Sequence, residues 1–174
     1  MDGAASLPVS GSAGVIIGVI GLGASGLSAF GALHALWLNI WLTAAAAAVV
    51  CGGAVMARQW FLQGRTLLGA PTQKFLLCLA PALIAGALLT AVEASDGHLQ
   101  EVPAIWLLLY GSAVLAASAV TIRLLRWLGL LFMALGVAAL MSPVSLHNLL
   151  LGAGFGGLHL LFGAYLMGRG SRGR

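Results

Sequence analysis

The sequence predicts an all-α polytopic membrane protein, with about six transmembrane helices in three hairpins and both termini cytoplasmic. Three observations carry this reading: a very low charge count, a series of long apolar runs, and the placement of the charges between those runs. The 174-residue chain is 61% hydrophobic and 7% charged, with a mean hydropathy of +1.06. A soluble domain carries about a quarter charged residues, because its surface has to stay wetted. Eight Lys/Arg and four Asp/Glu cannot do that for a globule of this size. A soluble enzyme, a secreted disulfide scaffold and a disordered tail are therefore excluded. The pI is near 9.8, yet eight bases are too few to track a phosphate backbone, so no nucleic-acid partner is expected.

Each span is an apolar run of about 18 residues or more, enough for a helix to cross the hydrocarbon layer. No acid occurs from Gly3 to Val92, and no Lys or Arg from Met1 to Ala57. Two spans, about 13–35 and 37–57, fit before the first base. The third, 75–92, lies between Lys74 and Glu93, and the fourth, 102–122, between Glu101 and Arg123. The fifth, 124–141, opens beside Arg123 and Arg126; the sixth, 146–167, follows the Ser142–Ser145 turn and stops before Arg169. The third and fifth are short, which suits little tilt or partial shielding by protein. Together the spans make residues 1–174 a single integral membrane domain.

Orientation follows from the connections. Arg58, Arg65 and Lys74, then Arg123 and Arg126, then Arg169, Arg172 and Arg174 all fall on one side of a six-span arrangement. Glu93, Asp96, His98 and Glu101 fall on the other. Basic residues are retained in the cytoplasm, so this pattern puts both termini inside. Trp37, Trp41 and Trp106 near the outer ends, and Trp60, Trp127 and Tyr165 near the inner ends, suit the headgroup layers. Pro81 alone among the prolines sits inside a span and predicts a kink there. The segment from Arg58 to Lys74 carries Trp60, Phe61, Leu62, Leu67 and Leu68 among its bases. It suits either a stretch lying along the inner headgroups or an extension of the second helix. The N-terminus has an Asp and no base, so it does not read as a cleavable signal. Cys51 and Cys78 read as buried free thiols.

Two literal GxGxxG matches occur, Gly21-Leu-Gly23-Ala-Ser-Gly26 and Gly152-Ala-Gly154-Phe-Gly156-Gly157. Dinucleotide binding also needs a strand–turn–helix unit and an acid about twenty residues on, and neither is present. In lipid, small residues serve helix packing, since backbones approach closely only where side chains are absent. Gly14, Gly18 and Gly21 form a stripe with Ser25, and Gly152 and Gly156 have the same four-residue spacing. The first and sixth helices therefore read as close-packing elements, within the chain or against a partner.

His159 is the one ionisable side chain well inside a span, a functional candidate by default. Gly156 and Gly163, one turn to either side, would leave a hollow beside it that suits haem or chlorophyll ligation. The plainer reading is a neutral imidazole bonded to a neighbouring helix, through Tyr110, a serine hydroxyl or an exposed carbonyl, and a gating or proton-relay role is the third alternative. His34, His98 and His147, with Glu93, Asp96 and Glu101, would make a metal site only if their loops converged. No nucleophile–base pair, zincin signature or phosphate loop is present. The spans also lack the interior charges that ion-coupled transporters place on their pathways.

Lys74-Phe-Leu-Leu-Cys-Leu-Ala-Pro-Ala-Leu, Val102-Pro-Ala-Ile-Trp-Leu-Leu-Leu-Tyr-Gly111, Leu130-Leu-Phe-Met-Ala-Leu-Gly136 and Gly154-Phe-Gly-Gly-Leu-His159 together carry a resemblance. Over residues 74–168 the chain resembles a family of uncharacterised small multi-pass inner-membrane proteins of acidobacteria and gemmatimonads. The resemblance implies an inner-membrane protein, with His159 inside the most specific run, and no activity. The expected function is a non-enzymatic accessory or structural subunit, packed through glycine-rich helices against lipid and other membrane subunits. A respiratory or photosynthetic complex would be one such assembly. The alternative is a small transporter or channel for a neutral or weakly charged solute. No cofactor is required, haem or chlorophyll at His159 being the exception considered.

Overall fold

The computed structural model describes residues 10–62 and 70–171, which are helical throughout apart from short turns, with no strand among them. Helix α1 (Gly11–Ala29) starts where the Ser10 hydroxyl accepts from the Ala13 N–H at 3.3 Å, which satisfies one of its otherwise unpaired amides. It stops at Phe30, whose backbone is extended, and a 3-10 turn (Gly31–Leu36) leads into α2 (Trp37–Leu62). The first span is thus shorter than the expected 13–35, its last apolar residues being spent on the turn. Helix α2 runs past residue 57, so up to Leu62 the expected connection extends the helix. Residues 63–69, with Arg65, Leu67 and Leu68, lie outside the described residues, as do Arg172 and Arg174.

Helix α3 (Ala70–Asp96) is 27 residues long and passes through Pro81 without interruption. It ends where Gly97 adopts φ +78, and the His98 N–H reaches back to the Glu93 carbonyl at 2.8 Å. That is a glycine-dependent C-terminal cap, in a backbone region that side chains disfavour. Helix α4 (Val102–Ala117) has 16 residues, shorter than the expected 102–122, because residues 118–122 turn instead. Helix α5 (Leu124–Met141) matches its expected bounds. The last span is continuous but composite: α6 (His147–Leu151), a π-helical stretch (Gly152–Leu158) and α7 (His159–Ser171).

Five of these helices are long and apolar enough to cross a membrane. Helix α4 rises only about 24 Å, against about 30 Å of hydrocarbon. It is nevertheless the best-shielded helix, with eight buried residues from Val102 to Ala117. A short helix surrounded by protein need not match the lipid. Helices α3, α5 and α6 surround α4, and the core forms there around Leu107 and Phe132 with Val114, Leu125, Leu128 and Leu151.

Two glycine seams hold the bundle. All five predicted packing glycines lie in the first, between α1 and the last span. A Cβ on Gly18 would stand 2.6 Å from the Leu160 nitrogen, and one on Gly21 2.6 Å from the Phe155 carbonyl. Gly14 meets Gly163, Gly152 meets the Ser25 side chain, and Gly156 meets Leu22. The predicted stripe is therefore used within the chain. The second seam joins α4 to α5, where a Cβ on Gly111 would sit 2.9 Å from the Gly129 carbonyl oxygen. Sequence reading missed this one, although Gly129 and Gly136 stand seven residues apart, two turns along one face.

Helices α2 and α3 are peripheral. Only 6% of the α2 span and 11% of the α3 span are buried, against 28–33% for α1, α5 and the last span. Helix α2 packs on α1 and α3 on α4. The Gln59 amide donates to the Ser12 hydroxyl at 3.0 Å, and the Trp106 indole donates to Thr90 at 2.9 Å. Both contacts pair one helix's beginning with its neighbour's end, so each pair is antiparallel. Antiparallel packing gathers Arg58, Lys74, Arg123, Arg126 and Arg169 at one end of the bundle, and Glu93, Asp96 and Glu101 at the other. Both cysteines are free, but Cys51 is exposed on the outside of α2 and Cys78 is half-buried, so Cys51 is not the interior thiol expected.

Candidate functional site

Between α2 and α3, backed by α1, α4, α5 and the last span, lies a cavity of about 390 Å³. None of its lining residues is Asp, Glu, Lys or Arg. Its polar side chains are Ser10, the indoles of Trp37, Trp41 and Trp106, and the pair Tyr110 and His159. A concave, largely apolar volume of this size with a few convergent polar groups is the ordinary form of a small-molecule site.

Tyr110 and His159 are brought together by the core. The Tyr110 hydroxyl lies 2.7 Å from His159 Nε2. Around that bond, the rings of Phe132 and Phe155 stand 4.8 and 5.1 Å from the Tyr110 ring. Gly154 makes room for this cluster, since a Cβ there would meet Leu107 at 2.8 Å and Phe132 at 3.0 Å. His159 closes the π-helical stretch, whose i→i+5 bonds leave carbonyls off the usual α ladder. Its Nδ1 is buried with no hydrogen-bond partner among the described residues.

The hollow expected from Gly156 and Gly163 is closed by α1, and the space that borders His159 is the cavity between α2 and α3. Gly156 and Gly163 face α1, where Leu22 and Val15 fill the space. The nitrogen best placed to reach out from the helix, Nε2, is engaged by Tyr110. The bonded-imidazole alternative is the arrangement found, with the partner helix supplying Tyr110.

Asn148 is not among the site residues expected from sequence, yet it organises the cavity at the end of the bundle that carries the acids. Its Oδ1 accepts from the Trp37 and Trp41 indoles at 3.3 and 3.0 Å. Its Nδ2 donates to the Ser25 carbonyl at 2.9 Å, and Ser25 returns a bond to the Asn148 carbonyl at 3.2 Å. One amide side chain therefore ties α1, α2 and α6 together. The available signal was a carboxamide opening an apolar helix, where polar groups act as interhelical glue.

His98 and His147 do not converge. His98 pairs with Glu93 at 3.8 Å, His147 Nε2 lies 3.2 Å from the Ser142 carbonyl oxygen, and His34 belongs to the turn Gly31–Leu36. Among the described residues no three His, Cys, Asp or Glu side chains gather closely enough to share a metal ion. Comparison with protein-family models, with curated proteins and with solved structures returns no match to this chain.

Proposed function

We propose that this chain is a non-enzymatic inner-membrane protein of bacterial type, with six spans and both termini cytoplasmic, that binds a neutral, largely apolar solute between α2 and α3. One observation carries the reading: an uncharged cavity of about 390 Å³ holding a buried Tyr110–His159 hydrogen bond. A wall without formal charge suits a solute that dissolves in the bilayer, because an ion would meet no compensating group there. The two helices that bound it do not pack closely on one another, which suits entry from the lipid. This develops the neutral-solute transporter or channel reading. Native mass spectrometry of the gently solubilised protein tests it, with a bound small-molecule mass expected on the wild type. Ala48 lines the cavity, so Ala48→Trp should remove that mass while leaving the protein folded. A bare wild-type mass that takes up no added lipophile would sink the proposal.

The accessory-subunit reading is supported separately by the sparse burial of α2 and α3. The glycine stripes no longer support it, being consumed inside the bundle. The same native-mass measurement decides, since a stable lone monomer or homo-oligomer without other subunits would end it.

A further inference from the structure

Resting on that ligand-binding reading, we infer that the cavity takes one long, unbranched, neutral hydrocarbon chain, such as a long-chain alcohol, in preference to a compact or fused-ring lipophile. The shape of the space carries the inference. On α2 a lining residue recurs at every turn, through Trp37, Trp41, Ala44, Ala48, Gly52 and Met56. At about 1.5 Å per residue that stretch rises about 28 Å, close to the about 30 Å of the hydrocarbon layer. The last span lines the same cavity from Leu151 to Leu166, a rise of about 22 Å. Dividing the volume of about 390 Å³ by the length on α2 leaves a mean section of about 14 Å². The space is long and one chain wide.

The wall suits such a chain along its length. The indoles of Trp37 and Trp41, tied to Asn148, and of Trp106, tied to Thr90, fix the end beside the acids. Between those indoles and Ser10 at the other end, Tyr110 and His159 are the only polar side chains on the wall, and they bond to each other. A ligand rich in polar groups would leave most of them unpaired there, a cost that a hydrocarbon chain does not incur. The cavity also opens sideways, since Val49 on α2 and Leu76 on α3 line it and are 63% and 54% exposed. A flexible chain threads such an opening segment by segment and bends to the wall. A rigid ring body of the same mass must push the helices apart, and overpacking is penalised.

The test measures binding of 1-nonadecanol and androstan-3-ol to the intact protein in detergent, by native mass spectrometry at matched concentrations. The two probes have the same carbon number and one hydroxyl each, so they differ in shape. The wild type should hold the linear alcohol about tenfold tighter or more, the overpacking penalty expressed as affinity. Length is read separately from Leu38→Trp and Met56→Trp, at opposite ends of the cavity wall and about 27 Å apart along α2. Each should weaken nonadecanol binding about tenfold, because only a long occupant reaches both. Equal affinities for the two probes, a preference for the ring compound, or a loss confined to one end would overturn the inference and leave the cavity reading standing. If neither probe binds in a manner blocked by Ala48→Trp, the cavity reading itself falls.

Discussion

At the scale of single residues, two glycines two positions apart in one helix have opposite expected fates. A methyl added at Gly21 meets Phe155 backbone at 2.6 Å, which cannot yield as a flexible side chain would. Gly21→Ala should cost about 1–3 kcal/mol, the usual penalty for overpacking. Gly23 has nothing within 4 Å, and Gly23→Ala should be neutral or stabilise by up to about 1 kcal/mol through helix propensity. Reversible unfolding of both variants in mixed micelles checks the contrast, and equal effects would contradict the seam. Asn148→Leu leaves two indole N–H groups without their acceptor. It should destabilise by about 1–2 kcal/mol and shift Trp fluorescence, which a surface substitution such as Leu149→Ala should not do. The glycine stripe was legible because small residues at helical spacing carry their own explanation in lipid. The Asn148 tie and the Tyr110–His159 bond were less so, because each joins residues from separate spans and nothing in local sequence names the partner.

At the scale of elements, the bundle divides into a packed centre and two outlying helices. Amide exchange in lipid nanodiscs should open α2 and α3 before α4 and α5, since protection follows burial and local contact; uniform protection across all helices would argue against the division. Hydropathy could not reveal this. Helix α2, facing largely outward, and helix α4, facing largely protein, are both apolar, and bilayer and protein interior ask for the same side chains. The same degeneracy explains the misplaced ends of the first and fourth spans. Residues 31–35 and 118–122 contain no Lys, Arg, Asp, Glu or proline, so nothing of that kind marks the stop. Helix α5 was placed correctly because Arg123 precedes it and Ser142-Pro143 follows.

At the scale of the whole molecule, the charges set the frame. Five described bases gather at one end and three acids at the other, so a single exposed site reports orientation. Glu101 is exposed at the acidic end, and Glu101→Cys should react with an impermeant maleimide added outside intact cells; labelling only from the cytoplasmic face would reverse the proposed topology. Cys51 and Cys78 would be replaced first, as Cys51 is exposed on α2. The π-helical stretch of the last span has its own consequence at this scale. An i→i+5 ring holds one residue more than an α turn, so Gly152–Leu158 behaves as a helix into which one codon has been inserted and absorbed. Gly157, with nothing within 4 Å, is the residue to remove. Its deletion should relax the stretch to α geometry and leave both flanks in register. A one-residue deletion at Val19 in α1 would rotate all that follows by about 100°. This span should therefore tolerate an in-frame loss that its neighbours do not, a difference that folded yield of the two deletions would reveal.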